Sequence, residues 1–181
     1  EVQALYNYRY MFTEKWNSEL IWGNSNPVTN GDWWGIQSPV LMKKPDEPSP
    51  GAWQWAAPTL RMAELYYTNN GLPIDEDLTY SYNSRFNLER VGEEDQYHAQ
   101  VGDFTIKLHL KREPRFYASI GFDRGYNRTY GELWALQMRH MEDHGKKSES
   151  YDNLLTGYAL KKLVHPSSTG ESYAGHVTYA W

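Results

Sequence analysis

The chain has 181 residues, with 18 Lys plus Arg against 23 Asp plus Glu and a formal net charge of −5. A mildly acidic chain lacks the basic stripe of a nucleic-acid binder or of a protein that docks on anionic lipid. No apolar run reaches the ~20 residues that a membrane helix needs, and no signal-peptide pattern opens the sequence. Cysteine is absent, which excludes disulfide frameworks and thiolate metal sites.

The length suffices for one domain with a sizeable core. Val2 to about Glu14 predicts a helix with Leu5, Tyr8 and Phe12 at helical spacing. Glu19 to Gly23 predicts a short strand. Asn24 to Ala57 is rich in Pro, Gly, Asn and Asp, and Pro45 to Gly51 within it suits a polyproline II segment. A loop this long is functional or disordered more often than it is a simple connector. Pro58 predicts the opening of a second helix, at a position where its missing N–H costs nothing. Leu60, Ala63 and Tyr67 would share one face, Gly71 would supply the left-handed stop and Pro73 would prevent a restart. Arg85 to Arg90 is a further candidate helix, with only Phe86 and Leu88 to support it.

Phe104, Ile106, Leu108 and Leu110 alternate with polar residues in the period of a strand. Pro114 disfavours a helical Glu113, so this element should end near Arg112. Tyr117 to Phe122, Leu133 to Arg139 and Gly157 to Val164 predict strands, with Glu142 to Tyr151 as a charged turn. No internal repeat is visible.

Aromatic residues are abundant, with 8 Trp, 15 Tyr and 5 Phe, although the mean hydropathy is only −0.79. Rings on so polar a chain suit amphipathic surfaces as well as a core. Trp33 and Trp34, flanked by Gly31, Asp32 and Gly35, lie in the long loop, and Trp53 and Trp55 lie near its end. A sugar lays the apolar C–H face of its ring on an indole while its hydroxyls need donors and acceptors nearby. Asn24, Asn26, Asn30, Asp32 and Gln37 are close in sequence and could serve them. The same rings would equally well plug the loop onto the core, because an indole combines an apolar body with a polar edge.

Other constellations carry weaker chemistry. Arg112, Glu113 and Arg115 suit an anion clamp, or a structural fork onto carboxylates and carbonyls. His140 and His144 have helical i, i+4 spacing, but Glu142 is misplaced for a zinc protease and no third ligand is near, so a solvated turn is expected. Asp75, Glu76 and Asp77 lack the glycine and distal Glu of a calcium loop and read as a solvated charge run. A glycoside hydrolase needs two carboxylates ~5 to ~9.5 Å apart. Asp32, Asp123 and Glu132 are candidates, with no spacing that singles out a pair. Nucleophile-elbow, phosphate-loop and dinucleotide glycine patterns are absent.

Four segments in a fixed order carry a family resemblance. They are Asn17-Ser18-Glu19-Leu20-Ile21, the run Pro58-Thr59-Leu60 to Asn70-Gly71-Leu72-Pro73-Ile74, the run Arg112-Glu113-Pro114-Arg115-Phe116-Tyr117-Ala118, and Thr156-Gly157-Tyr158-Ala159-Leu160. Together they resemble the SusD/RagB family, surface lipoproteins that capture glycans for outer-membrane import. The resemblance implies an α+β fold of irregular helices, short strands or hairpins and long loops. This would be the non-repeat part of a protein whose remainder is tetratricopeptide-like helix pairs. It implies a helix, not a strand, across Phe104 to Leu110, and that reading is adopted. Pro58, Thr59, Gly71, Arg112, Pro114 and Arg115 become scaffold signature positions. Arg115→Ala is then expected to damage stability far more than binding.

Glu1 opens without a methionine and Trp181 stops within apparent structure, so residues 1–181 read as a single domain fragment truncated at both ends. The family's lipid-bearing cysteine and flanking helices would lie outside it. Leu5, Tyr8 and Phe12 should then form an exposed apolar patch. The implied function is non-catalytic binding of an oligo- or polysaccharide on the extracellular face of the outer membrane, through Trp33, Trp34, Trp53, Asn30 and Asp32. Delivery would be to a SusC-like TonB-dependent transporter, with no cofactor, metal or nucleic acid involved. A carbohydrate-active hydrolase and a structural surface protein without a small ligand are the alternatives.

Overall fold

The computed structural model describes residues 2–14, 17–19, 21–22, 57–129, 132–145 and 156–162. The fold is α+β. Helix α1 spans Val2–Thr13, α2 Leu60–Leu65 and α3 Pro114–Ser119. Strands β1 (Leu88–Arg90) and β2 (Phe104–Ile106) pair antiparallel, with Glu89 opposite Thr105. Strands β4 (Tyr126–Thr129) and β5 (Glu132–Ala135) form a second antiparallel pair. Strands β3 (Ile120–Gly121) and β6 (Ala159–Leu160) form a third. Short 3₁₀ turns at Tyr82–Ser84, Glu93–Asp95 and Lys107–His109 link these pieces.

Strands this short cannot stand alone, and the core holds them together. Phe116 and Phe122 lie at its centre with ring centroids 5.5 Å apart. Leu108, Ile120 and Val91 are fully buried around them, and Tyr66 meets Phe116 edge-on at 5.8 Å. A satellite cluster joins Trp134 of β5, Leu136 and Met138 beyond it, and Ala159 of β6.

Helix α1 forms where expected, yet its apolar face is covered. It packs on α3, Leu5 is buried in the main core, and Tyr8 lies against that core and edge-on to Phe12 at 5.3 Å. The expected patch at Leu5, Tyr8 and Phe12 is therefore not exposed. Exposed apolar side chains lie elsewhere, at Ile21, Trp22, Leu65, Leu78 and Leu88 among others.

Several elements differ from their sequence expectation, each for a local reason. No strand forms at Glu19, Ile21 and Trp22, the described residues of the strand expected at Glu19 to Gly23, and Glu19 lies in a turn. Asn17 closes the end of α1 by donating to Met11 O at 3.2 Å and Glu14 O at 3.1 Å, and its Oδ1 accepts from Glu19 N at 3.0 Å. Arg85 to Arg90 is not a helix, because Leu88 to Arg90 pair with β2. Phe104 to Leu110 is neither the adopted helix nor one strand. Leu108 N turns to Arg85 O at 2.8 Å and Leu110 N to Lys107 O at 3.0 Å, so the chain coils after Ile106 and buries Thr105, Leu108 and His109 together.

Tyr117 to Phe122 begins as helix. Glu113 is extended, as expected before proline, and Pro114 then opens α3 at its first position. Every residue from Phe116 to Phe122 is buried, so no alternation marks the change to strand at Ile120. The strands expected at Leu133 to Arg139 and Gly157 to Val164 form in part, as β5 and β6.

Gly121 shows how tightly β3 is held. A Cβ there would stand 2.8 Å from Leu136 Cδ1 and 2.9 Å from Ala159 Cβ. Gly121→Ala is expected to cost about 1–3 kcal/mol by overpacking. A melting temperature unchanged from that of the parent would show that β6 can shift to make room.

Candidate functional site

Pro58 is buried and the next residue caps α2, with Thr59 Oγ1 accepting from Met62 N at 3.3 Å. The helix stops after one and a half turns because Arg112 and Glu113 take its backbone groups. Glu113 Oε1 accepts from Tyr67 N at 2.9 Å, an N–H that a longer helix would give to Ala63 O. Ala63 O instead accepts from Arg112 Nη2 at 2.8 Å, and Tyr66 O from the same nitrogen at 2.5 Å. Arg112 Nε donates to Tyr67 O at 3.2 Å and Nη1 to Leu108 O at 2.6 Å. A guanidinium on the last carbonyls of a helix also answers its dipole. Arg112 is 2% exposed, lies 4.6 Å over the Phe116 ring, and burial pulls its pKa down. Arg115 is different. Its side chain is 56% exposed and it pairs with Glu113 Oε2 at 2.7 Å on the surface.

A second buried knot lies behind Arg112. The Thr105 hydroxyl donates its one proton to Asp123 O at 2.8 Å, so the 2.7 Å contact with His109 Nδ1 places the ring proton on Nδ1. His109 Nε2 then accepts the Tyr158 hydroxyl at 3.1 Å. Burial, with Arg112 nearby, pushes His109 down to about 3, and burial pushes Tyr158 up to about 12. The trio is a neutral strut between β2, the 3₁₀ turn and the approach to β6. Close by, Tyr117 OH accepts from Arg112 N at 3.1 Å and stands 3.3 Å from Asp95 Oδ1, while the His98 ring stacks on Tyr117 at 3.7 Å. Burial raises the Asp95 carboxyl. Lys161 Nζ ties β6 to its neighbours by donating to Tyr117 O at 2.7 Å and Tyr126 O at 2.9 Å, and burial holds it well below the usual lysine range.

A third knot is ionic. Arg124 pairs with Glu142 through Nη1 at 3.2 Å and Nη2 at 2.5 Å, and with Asp103 at 3.4 Å. Asp123 accepts from Met138 N at 3.0 Å and Arg139 Nε at 2.8 Å. No cluster of three or more His, Asp or Glu that could hold a metal occurs among the described residues.

The SusD family profile matches residues 18–180. The chain belongs to the SusD family. Two solved structures of BT4246, one a selenomethionine form, superpose with TM-scores of 0.68 and 0.64 at 28% and 26% identity. Each matches 93% of this SusD-family chain, but only 28% and 29% of its own. A SusD-like protein, BF3747, from Bacteroides fragilis NCTC 9343 superposes at a TM-score of 0.58 and 19% identity, matching 90% of this chain and 29% of its own. At that identity the likeness is one of fold. The chain thus spans well under half the length of these solved relatives. No curated protein matches the sequence.

The residues of this SusD-family chain expected to form a sugar platform, Trp33, Trp34, Trp53, Asn30 and Asp32, lie outside the described residues, as do Asn24, Asn26, Gln37, Trp55 and the segment Pro45 to Gly51. Among the described residues, Trp22 is 83% exposed and Trp134 only 7%, its ring stacked on His144 at 5.4 Å. His144 is correspondingly no part of a solvated turn. It is buried and its Nδ1 accepts from Gln137 N at 2.9 Å, whereas His140 is exposed. Asp75 and Glu76 are exposed as expected, but Asp77 is buried and organises its turn. It accepts from Thr68 Oγ1 at 2.6 Å, Asn70 Nδ2 at 3.0 Å, and Thr79 N and Oγ1 at 2.9 and 2.7 Å. The hydrogen bond from Thr68, then those from Thr79 and Asn70, hold its carboxyl well below the usual range. His109 and Asp95 escaped the sequence reading, because a lone buried His or Asp leaves no periodic or spaced signal.

Proposed function

We propose that this chain is part of a non-catalytic surface protein that captures an oligo- or polysaccharide and passes it to a SusC-like TonB-dependent transporter in the outer membrane. The observation that carries this reading is the family match over residues 18–180. The glycan platform is assigned to Trp33, Trp34 and Trp53, with Asn30 and Asp32 meeting the hydroxyls. The remainder of a longer SusD-like chain, lipid-anchored at the extracellular face, would complete the protein. Of the candidates for the hydrolase alternative, Asp123 has both oxygens engaged, by Met138 N, Arg124 and Arg139. Glu132 lies exposed on β5.

The test is glycan binding by Trp33→Ala, Trp34→Ala and Trp53→Ala, by titration calorimetry within the longest native chain that contains this sequence. Truncating the central aromatic anchor should cost about 2 kcal/mol of affinity, roughly thirtyfold, with little change in melting temperature. If all three bind the parent's glycan unchanged, or all three melt far earlier, the platform lies elsewhere. Release of reducing sugar from a bound polysaccharide would favour the hydrolase. Binding to the transporter without binding any glycan would favour a structural surface protein.

A further inference from the structure

Asn70-Gly71 is one of two Asn-Gly steps in the chain, the other being Asn30-Gly31. A glycine after asparagine leaves its amide nitrogen unshielded, free to attack the asparagine Cγ. At Asn70 no side chain supplies the missing shield, since nothing lies within 4 Å of where a Gly71 Cβ would stand, and Gly71 sits at φ +76°. Hydrogen bonds block the reaction instead, at both of its reacting groups. Asn70 Nδ2 donates to Asp77 Oδ2 and to Thr79 Oγ1, each at 3.0 Å. The attacking atom, Gly71 N, donates to Thr68 O at 2.9 Å.

We propose that Asn70 is a deamidation site, gated by local opening of the 68–79 turn, and that the product prevents the turn from closing again. On opening, Gly71 N loses its proton to solvent base and forms a bond to Asn70 Cγ. The tetrahedral carbon expels Nδ2, which leaves as ammonia with protons from water, and a cyclic imide remains. Water opens either imide carbonyl to give aspartate or isoaspartate. The sum is asparagine plus water to acid plus ammonia, with no other reactant. The new carboxylate replaces a donor that stood 3.0 Å from Asp77 Oδ2. Asp77 is already supplied by Thr68 and Thr79 and stays ionised, so two like charges meet where a hydrogen bond was. The damage reaches the scaffold, since Thr68 bridges to Arg112 and Asn69 N donates to Lys111 O at 2.9 Å. Chemical modification of an opened state makes unfolding irreversible.

The full chain, incubated at mildly alkaline pH in heavy-oxygen water, folded and in denaturant, is mapped by peptide mass spectrometry. Conversion at Asn70 should be at least about tenfold slower in the folded chain, equivalent to about 1.4 kcal/mol of local protection. Thr79→Val, confirmed folded by circular dichroism, should raise the folded rate, and Thr79→Ser should not. Asn70→Asp should melt earlier than the parent, by a margin that narrows on acidification, while Asn70→Ser should show no such pH dependence. Equal rates in the folded and denatured chain, or an Asn70→Asp variant that melts like the parent, would overturn the proposal.

Discussion

Arg112→Ala is expected to lower folding stability by about 4 kcal/mol or more, the largest effect of any single polar substitution among the described residues. The guanidinium serves four carbonyl oxygens, those of Ala63, Tyr66, Tyr67 and Leu108. Each buried acceptor left without a donor costs roughly 1–3 kcal/mol, and water entering the cavity recovers only part of that. In a chain of this size each kcal/mol moves the melting temperature by ~2–4 °C, so a fall of about 10 °C should be seen. Arg112→Lys should recover little, because one ammonium cannot reproduce a fork that spans two elements. Arg112→Met keeps the packing on Phe116 and loses the donors, so it separates the two contributions. Arg115→Ala is the control. The sequence reading placed the stability effect there, yet an exposed pair with Glu113 is worth at most about 1 kcal/mol. Equal melting temperatures for Arg112→Ala and Arg115→Ala would show that the knot is not what holds α2 to α3.

Two of the four motifs that carry the family resemblance are two halves of this knot. Pro58-Thr59 starts α2, and Arg112-Glu113 ends it by taking its last carbonyls and the N–H of Tyr67. Local chemistry of that kind leaves marks in a sequence: a proline, a capping threonine, a glycine at positive φ, an arginine before Glu-Pro. Hence α1, the extended Glu113 and the φ of Gly71 were all legible, and α2 begins near Pro58 as expected, although Thr59 is its cap and Pro58 stands before the cap and not at the first helical position. Gly71 nevertheless serves the Thr68–Leu72 turn and not the helix stop, because Arg112 had already ended the helix six residues earlier. What failed was periodicity over short spans. Leu108 and Leu110 fit a strand by alternation, but the 3₁₀ turn at Lys107–His109 buries Leu108, His109 and Leu110 consecutively. From Phe116 to Phe122 the chain is buried on all sides, and a run without a polar face cannot say whether it is helix or strand. The proposed glycan platform rests on composition alone, aromatic rings among amides, and that pattern leaves open which rings would face a sugar.

Stability should fall as the pH drops from about 6.5 towards 3, with His109 as the main cause above pH 4. In the fold its Nε2 must stay unprotonated to accept the Tyr158 hydroxyl, and burial holds its pKa at about 3 against an ordinary 6.5. Between those values the unfolded chain binds a proton at this residue and the folded chain does not, so the sign is fixed: acid favours unfolding. One such group gives a slope of up to ~1.4 kcal/mol per pH unit. Asp77 also stabilises the fold only while ionised, but its ordinary value is 3.8, so its loss begins below that. Asp95 acts in the opposite direction. Its carboxyl is raised, so the fold holds its proton where the unfolded chain has lost one, and acidification towards 3.8 relieves a strain. Glu142, whose carboxyl is lowered, acts in the same direction as His109, and both carboxyl contributions are common to the parent and to a His109→Gln variant. His109→Gln keeps a polar side chain between Thr105 and Tyr158 without a titrating ring. Denaturant midpoints of the parent and this variant, measured from pH 7.5 to 4, should therefore differ in slope by about one proton, whatever their difference in stability at neutral pH. Parallel slopes would mean that the ring is protonated inside the fold, and that Tyr158 then accepts from His109 where it now donates.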